Sequence, residues 1–179
     1  WGWLAYSVFD HEWVKHQIED TTVEEVLIKN WPGLHIEPLQ APENMEVLIG
    51  WTGSPASSPH FVSEVKRLKS DPSFYGDFLE DSHHCVEKLI HAFKTNNIKG
   101  VQKMVRQNRT IIQRMDKEAT VDIETEKLKY LCDIAEKYHG ASKTSGAGGG
   151  DCGITIINKD VDKEKIYDEW TKHGIKPLK

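Results

Sequence analysis

Cysteine is scarce in this chain, and its number is odd. Cys85, Cys132 and Cys152 are the only three in 179 residues, which excludes a fully paired disulfide framework. Cys85 and Cys132 fall on apolar helical faces, where a buried reduced thiol is the default, so a cytoplasmic protein is expected. No apolar run approaches the roughly 20 residues of a membrane span, and no membrane association is expected. Positive charge is not in excess either. The net charge of -5 offers nucleic acid or an acidic membrane no general attraction. A phosphorylated ligand would have to be met by local cations, backbone amides or a metal ion. Also missing are a Gly-x-Ser-x-Gly turn and a defensible pair of catalytic carboxylates. His83, His84, Cys85 and His91 lie near one another in sequence, but Cys85 belongs to an apolar stripe and no second ligand pair follows at a fitting spacing. No metal site is expected.

What remains is an ordinary globular composition, 38% hydrophobic and 28% charged, long enough for one domain with a sizeable core. With no repeat and no linker in view, residues 1–179 are expected to form a single domain. Alternation and apolar runs predict strands over 3–9, 34–39, 45–51 and 154–157, with a possible last one over 175–178. The run Val47-Leu48-Ile49 points to a buried central strand. Residues 23–31 fit helix or strand. Helical spacing predicts helices over 59–69, from Asp71-Pro72 to 94, over 98–117, over 123–138 and over 162–173. This order suits a layered α+β domain, with helices on one face of a mainly antiparallel sheet.

The strongest functional signal is Ser145-Gly146-Ala147-Gly148-Gly149-Gly150-Asp151, four glycines in five positions ahead of an apolar strand. Glycine reaches positive φ and lets a ligand approach bare amides, so such a loop suits phosphate oxygens. A plain turn from helix to strand would need one glycine. Lys143 adds a positive charge and Thr144 and Ser145 add hydroxyls. Asp151 is read as bracing the loop, or as holding Mg²⁺ through water.

A second candidate, Trp51-Thr52-Gly53-Ser54-Pro55-Ala56-Ser57-Ser58-Pro59-His60, leaves the predicted central strand and enters a helix. Free N–H groups at a helix start attract anions, and Ser57 or Ser58 would add a donor or cap the helix. His60 reads as packed or exposed. A third candidate is Asn108 with Arg109. Asn108 interrupts the stripe from Val105 to Ile111, so it either pins a loop or faces a cleft, and Arg109 could grip a phosphate or stay solvated.

The Gly-rich run through Gly153, together with Gly2-Trp3-Leu4-Ala5-Tyr6, Ile49-Gly50-Trp51-Thr52 and Ala56-Ser57-Ser58-Pro59-His60, resembles the GHMP small-molecule kinases. Within them it is similar to the bacterial phosphomevalonate kinase family. The resemblance implies a ferredoxin-like domain enlarged by extra helices. It implies transfer of the γ-phosphoryl of ATP, with Mg²⁺, to phosphomevalonate in the mevalonate pathway of isoprenoid biosynthesis. It places Ser145 and Ala147 beside the reacting phosphates and the segment with Trp51, Thr52, Ser57 and Ser58 at the phosphomevalonate site. Mevalonate kinase, diphosphomevalonate decarboxylase and a non-catalytic α+β binding module are the alternatives. Kinases of this family are about twice as long, and the main ATP loop and a catalytic Lys belong to their first half. The chain is therefore expected to be a carboxy-terminal half, inactive alone, whose partners are ATP, phosphomevalonate and the absent amino-terminal half.

Overall fold

Paired strands with small residues beneath packed helices set the frame. The computed structural model describes residues 2–56, 72–146 and 148–178. Along it run β1 (Trp3–Ser7), α1 (His11–Asp20), α2 (Val23–Leu27), β2 (His35–Leu39), β3 (Met45–Trp51) and α3 (Pro72–Lys94). Then follow α4 (Ile98–Ala119), α5 (Glu126–Lys137), β4 (Ala141–Thr144), β5 (Cys152–Asn158), α6 (Lys163–Lys172) and β6 (Lys176–Leu178). The helix expected over 59–69 and the N-cap expected at Asp71 lie outside the described residues. By packing, the chain falls into two compact units, Trp1–Ala41 and Pro42–Lys179.

In the first unit β1 and β2 form an antiparallel ribbon, with Trp3 opposite Leu39 and Ser7 opposite His35. Helix α1 starts because the Asp10 carboxylate accepts the N–H groups of Glu12 and Trp13, each at 3.0 Å. It buries none of its residues, so it carries no apolar stripe for a sequence reading to find. The ambiguous stretch over 23–31 resolves into the short helix α2, opened by a capping box between Thr22 and Glu25.

In the second unit the four strands lie in the order β4-β5-β3-β6, every neighbouring pair antiparallel. With helices between β3 and β4 and between β5 and β6, this is the β-α-β-β-α-β ferredoxin-like arrangement, enlarged by α3 and α4. The expected central strand is β3, matched residue for residue. Register puts Leu48 and Gly50 of β3 on one face with Thr155 and Gly153 of β5. Helices α5 and α6 cover that face through Leu131, Ile166 and Trp170, which are fully buried with Leu48 and Ile157. A Cβ at Gly50 would stand 2.7 Å from Leu131 Cδ1, and one at Gly153 would stand 2.6 Å from Leu131 Cδ2. Both glycines are there so that the leucine can sit on bare backbone. The Trp170 indole N–H is satisfied by Leu131 O at 3.0 Å. A second cluster, Cys85, Met104 and Ile111, joins α3 to α4.

One element corrects the sequence reading. The Gly-rich run does not follow a helix directly; β4 intervenes, and the run connects two antiparallel strands. Ala-Ser-Lys-Thr has no apolar alternation, yet Ala141, Ser142 and Thr144 are buried. Burial of Ser142 is possible because its Oγ donates to Ile154 O at 2.8 Å and lies 2.7 Å from Thr155 Oγ1. Among the described residues no helix is long and apolar enough to cross a membrane.

Candidate functional site

The loop from Ser145 to Asp151 is closed at its base by Ser145 N–H donating to Cys152 O at 3.0 Å. Two more of its amides are used in bracing. Gly149 N–H donates to Ile123 O at 2.7 Å, and Asp151 N–H donates to Ser54 O at 2.6 Å. Asp151 O in turn accepts from Thr52 N–H at 2.8 Å. The turn before α5 and the segment after β3 thus both hold the loop. Asp151 braces through its backbone, while its carboxylate lies beside the Cys152 thiol, 3.7 Å from Sγ.

This bracing explains the glycines. φ is +78° at Gly148, +73° at Gly149, +129° at Gly150 and +57° at Asp151. A Cβ at Gly148 would lie 2.3 Å from Ile123 O, and one at Gly150 would lie 2.9 Å from Ser54 O. Gly146, by contrast, has nothing among the described residues within 4 Å of its absent Cβ. The idea that every amide of the run offers itself to a ligand narrows accordingly. The N–H groups of Gly146, Gly148 and Gly150 have no partner among the described residues. Ala147 lies outside the described residues.

Trp51 ends β3 between Cys152 and Lys176 and is partly exposed. Thr52 is buried, and its carbonyl accepts from Lys127 Nζ at 2.9 Å. The hydroxyls of Thr52 and of Thr144, both buried, have no partner among the described residues. Such groups cost about 1–3 kcal/mol each unless something satisfies them. They border the loop, Thr144 preceding it in sequence and Thr52 bonded to its last residue. Ser57, Ser58 and His60 lie outside the described residues.

Arg109 is engaged by two carboxylates. Its Nε donates to Glu124 Oε2 at 2.8 Å, and its Nη2 donates to Glu124 Oε1 at 2.5 Å and to Asp133 Oδ1 at 2.9 Å. The Arg109 side chain is 13% exposed and that of Glu124 5%. Lys129 also pairs with Asp133. Burial works against the Arg109 charge, but Glu124 and Asp133 more than restore it. Burial likewise pushes Asp133 up, and the bonds from Lys129 and Arg109 outweigh it, leaving the carboxyl below 3.8. Glu124 gave no signal in sequence, because its partner is 15 positions away in another element. The network has a purpose beyond itself. The Asp116 carboxylate holds the amides of Ile123 and Glu124 at 2.9 and 3.1 Å while Arg109 holds the Glu124 side chain. Ile123 O is then in place for Gly149. Asn108 is half-buried, and its side chain makes no hydrogen bond among the described residues.

Lys143 does not present its charge to the loop as the sequence suggests. Its Nζ turns back onto Thr144 O at 2.6 Å and has no carboxylate within ion-pair distance among the described residues. Burial lowers its pKa, with Cys132 and Cys85 opposing more weakly. Lys143→Met is therefore expected to leave stability unchanged or to raise it by about 1 kcal/mol, since a half-buried cation with no carboxylate partner among the described residues is exchanged for a thioether. Urea denaturation checks this, and a loss above about 1 kcal/mol would contradict it. All three thiols are free of disulfides, and burial raises Cys132 to about 11.

Residues 89–176 match the family described as GHMP kinases C terminal. That stretch is a GHMP kinase C-terminal domain. It contains α4, the Arg109 network, β4, the Gly-rich loop, β5 and α6. The similarity continues beyond this GHMP domain. The phosphomevalonate kinase of Streptomyces sp. (strain CL190) is 33% identical over 180 residues, spanning 99% of this chain and 48% of the relative. The Lin0012 protein from Listeria innocua superposes with a TM-score of 0.91 at 39% identity, over 99% of this chain and 50% of its own. Streptococcus pneumoniae phosphomevalonate kinase, solved with phosphomevalonate and AMPPNP, gives 0.84 at 26% identity, over 99% and 51%. The chain thus spans about half the length of these relatives.

Proposed function

We propose that this chain is the carboxy-terminal half of a cytoplasmic, ATP-dependent phosphomevalonate kinase, forming diphosphomevalonate in the mevalonate pathway. The observation that carries the reading is the glycine loop, clamped between Ile123 and Ser54 with three amides left over. Similarity over nearly the whole chain to the Streptomyces enzyme supports the substrate. The acceptor in this reaction is a phosphate oxygen, already nucleophilic at neutral pH, so positioning and charge stabilisation matter more than a strong base. The N–H groups of Gly146, Gly148 and Gly150, with the Ser145 hydroxyl and the Ala147 backbone, are assigned to phosphate oxygens at the reacting end. Trp51, Thr52, Ser57, Ser58 and Asn108 are assigned to phosphomevalonate. Arg109 is assigned to positioning the Ile123 turn. Among the described residues no cluster of His, Cys, Asp or Glu could hold a metal ion, so Mg²⁺ is given no ligand here.

Two results test this. Phosphomevalonate-dependent ADP release is expected only when the remainder of the enzyme is present, and turnover by this polypeptide alone would refute the assignment of the nucleotide to the absent half. In the full-length enzyme, replacing both Ser57 and Ser58 by Ala is expected to raise the KM for phosphomevalonate about ten- to a hundred-fold, with the KM for ATP little changed. An ATP-selective defect would mean that this segment meets the nucleotide instead.

A further inference from the structure

Both ends of the glycine loop are tied to a lysine. Strand β4 delivers the chain into the loop through the peptide that joins Thr144 to Ser145, and that peptide is held on both sides. Its N–H, on Ser145, donates to Cys152 O at 3.0 Å, and its carbonyl, on Thr144, accepts from Lys143 Nζ at 2.6 Å. The other end is Asp151, whose carbonyl accepts from Thr52 N–H at 2.8 Å. Thr52 O accepts in turn from Lys127 Nζ at 2.9 Å. Neither ammonium has a carboxylate within ion-pair distance among the described residues, although the chain carries a net charge of -5.

Local structure accounts for neither lysine. Lys127 stands in the first turn of α5, just after the N-cap Thr125, at the helix end that disfavours a cation. Lys143 is half-buried, and burial works against its charge. The two threonines also run against preference. Both are buried, and theirs are the two buried hydroxyls left without a partner among the described residues. Four residues set against local preference, two at each end of one loop, mark a feature kept for the loop rather than for stability.

We infer that Lys127 and Lys143 are positioning residues of the glycine loop, each fixing one of its ends by a bond from ammonium to backbone carbonyl. The inference deepens the kinase reading above and rests on it for its kinetic consequence. Neither lysine is assigned to the substrate. Charge-assisted bonds are shorter and stronger than neutral ones, so they hold the end peptides of the loop at a fixed angle. The N–H groups of Gly146, Gly148 and Gly150 lie between those ends and inherit that angle. Donors aimed before the reaction need no reorganisation during it, so the effect belongs in kcat. With no carboxylate to cancel it, each ammonium also leaves positive charge at the roots of the loop, which favours a polyphosphate on its amides.

The test substitutes each lysine in the full-length enzyme. Lys127→Met and Lys143→Met are each expected to lower kcat at least about ten-fold, with the KM for ATP and for phosphomevalonate within about three-fold of the parent's. Their urea midpoints should not fall. Lys127→Arg returns donor and charge and should keep kcat within about three-fold of the parent's. In enzyme carrying nitrogen-labelled glycine, the amide resonances of Gly146, Gly148 and Gly150 should move in both Met variants while those of Gly50 and Gly100 stay in place. A kcat near the parent's in either Met variant would overturn the inference, and so would unmoved loop resonances. A lower urea midpoint accompanying the lost activity would assign the lysines to stability and overturn it as well. A parent enzyme that leaves phosphomevalonate unphosphorylated sinks the kinase reading alone. The loop resonances then decide the clamp, which stands if they move and falls if they do not.

Discussion

Arg109→Met is expected to lower the free energy of unfolding of the second unit by about 3–5 kcal/mol, measured by urea denaturation at neutral pH. The size follows from what is left behind. Glu124, 5% exposed, would keep its charge with its main partner gone. Arg109→Met combined with Glu124→Met should recover much of the loss, because the double variant removes the stranded charge, and Glu124→Met alone completes the cycle that measures the coupling. Acid behaviour should change as well. Asp133 is held below 3.8, its burial outweighed by Lys129 and Arg109. Its contribution is therefore full above 3.8 and fades as the pH falls through the lower folded value. Without Arg109 the folded value rises towards the ordinary one, so the contribution should shrink and its loss should be complete at a higher pH. A loss below about 1 kcal/mol, with a KM defect in the full-length enzyme, would return Arg109 to the substrate.

Gly148→Ala is expected to reduce kcat of the full-length enzyme by at least about a hundred-fold, or roughly 2.7 kcal/mol. A Cβ there would meet the Ile123 carbonyl oxygen at 2.3 Å, and φ of +78° is a conformation that an L side chain adopts at a cost. The obstacle is backbone, so it cannot rotate away. The loop has to lift from Ile123, and the bond from Gly149 N–H to Ile123 O goes with it. Gly146→Ala is the internal control. Among the described residues nothing lies within 4 Å of its Cβ, and its melting temperature should match the parent's while that of Gly148→Ala falls. Turnover of Gly148→Ala within a few-fold of the parent would mean that the reaction does not depend on the shape of this loop.

The elements that the sequence revealed are those whose own side chains carry the signal. Strand β3 shows itself as an apolar run, and α4 shows itself through Ile98, Val101, Met104, Val105 and Ile111, all buried where helical spacing places them. Thr125 and Asp116 moved the start of α5 three residues beyond the expectation at 123, because they take the amides that an earlier start would need. Strand β4 stayed hidden because it has no apolar alternation and its buried Ser142 finds its partners 12 and 13 positions on, in β5. Helix α1 stayed hidden because it buries nothing.

The same division runs through the site. By itself the sequence determined that a glycine-rich loop precedes an apolar strand and that its backbone must take positive φ, since those are properties of glycine wherever it stands. It also determined an α+β layout, because strand and helix periods are local. Only the tertiary structure decided which amides of the loop remain for a ligand, since that depends on where Ile123 O and Ser54 O come to rest. Only the tertiary structure made Arg109 a half-buried strut, because its partners, Glu124 and Asp133, meet it through the packing of α4 against the turn and helix that follow. Hydrogen bonds and ion pairs between elements are set by three-dimensional proximity, and proximity is what a one-dimensional pattern does not carry.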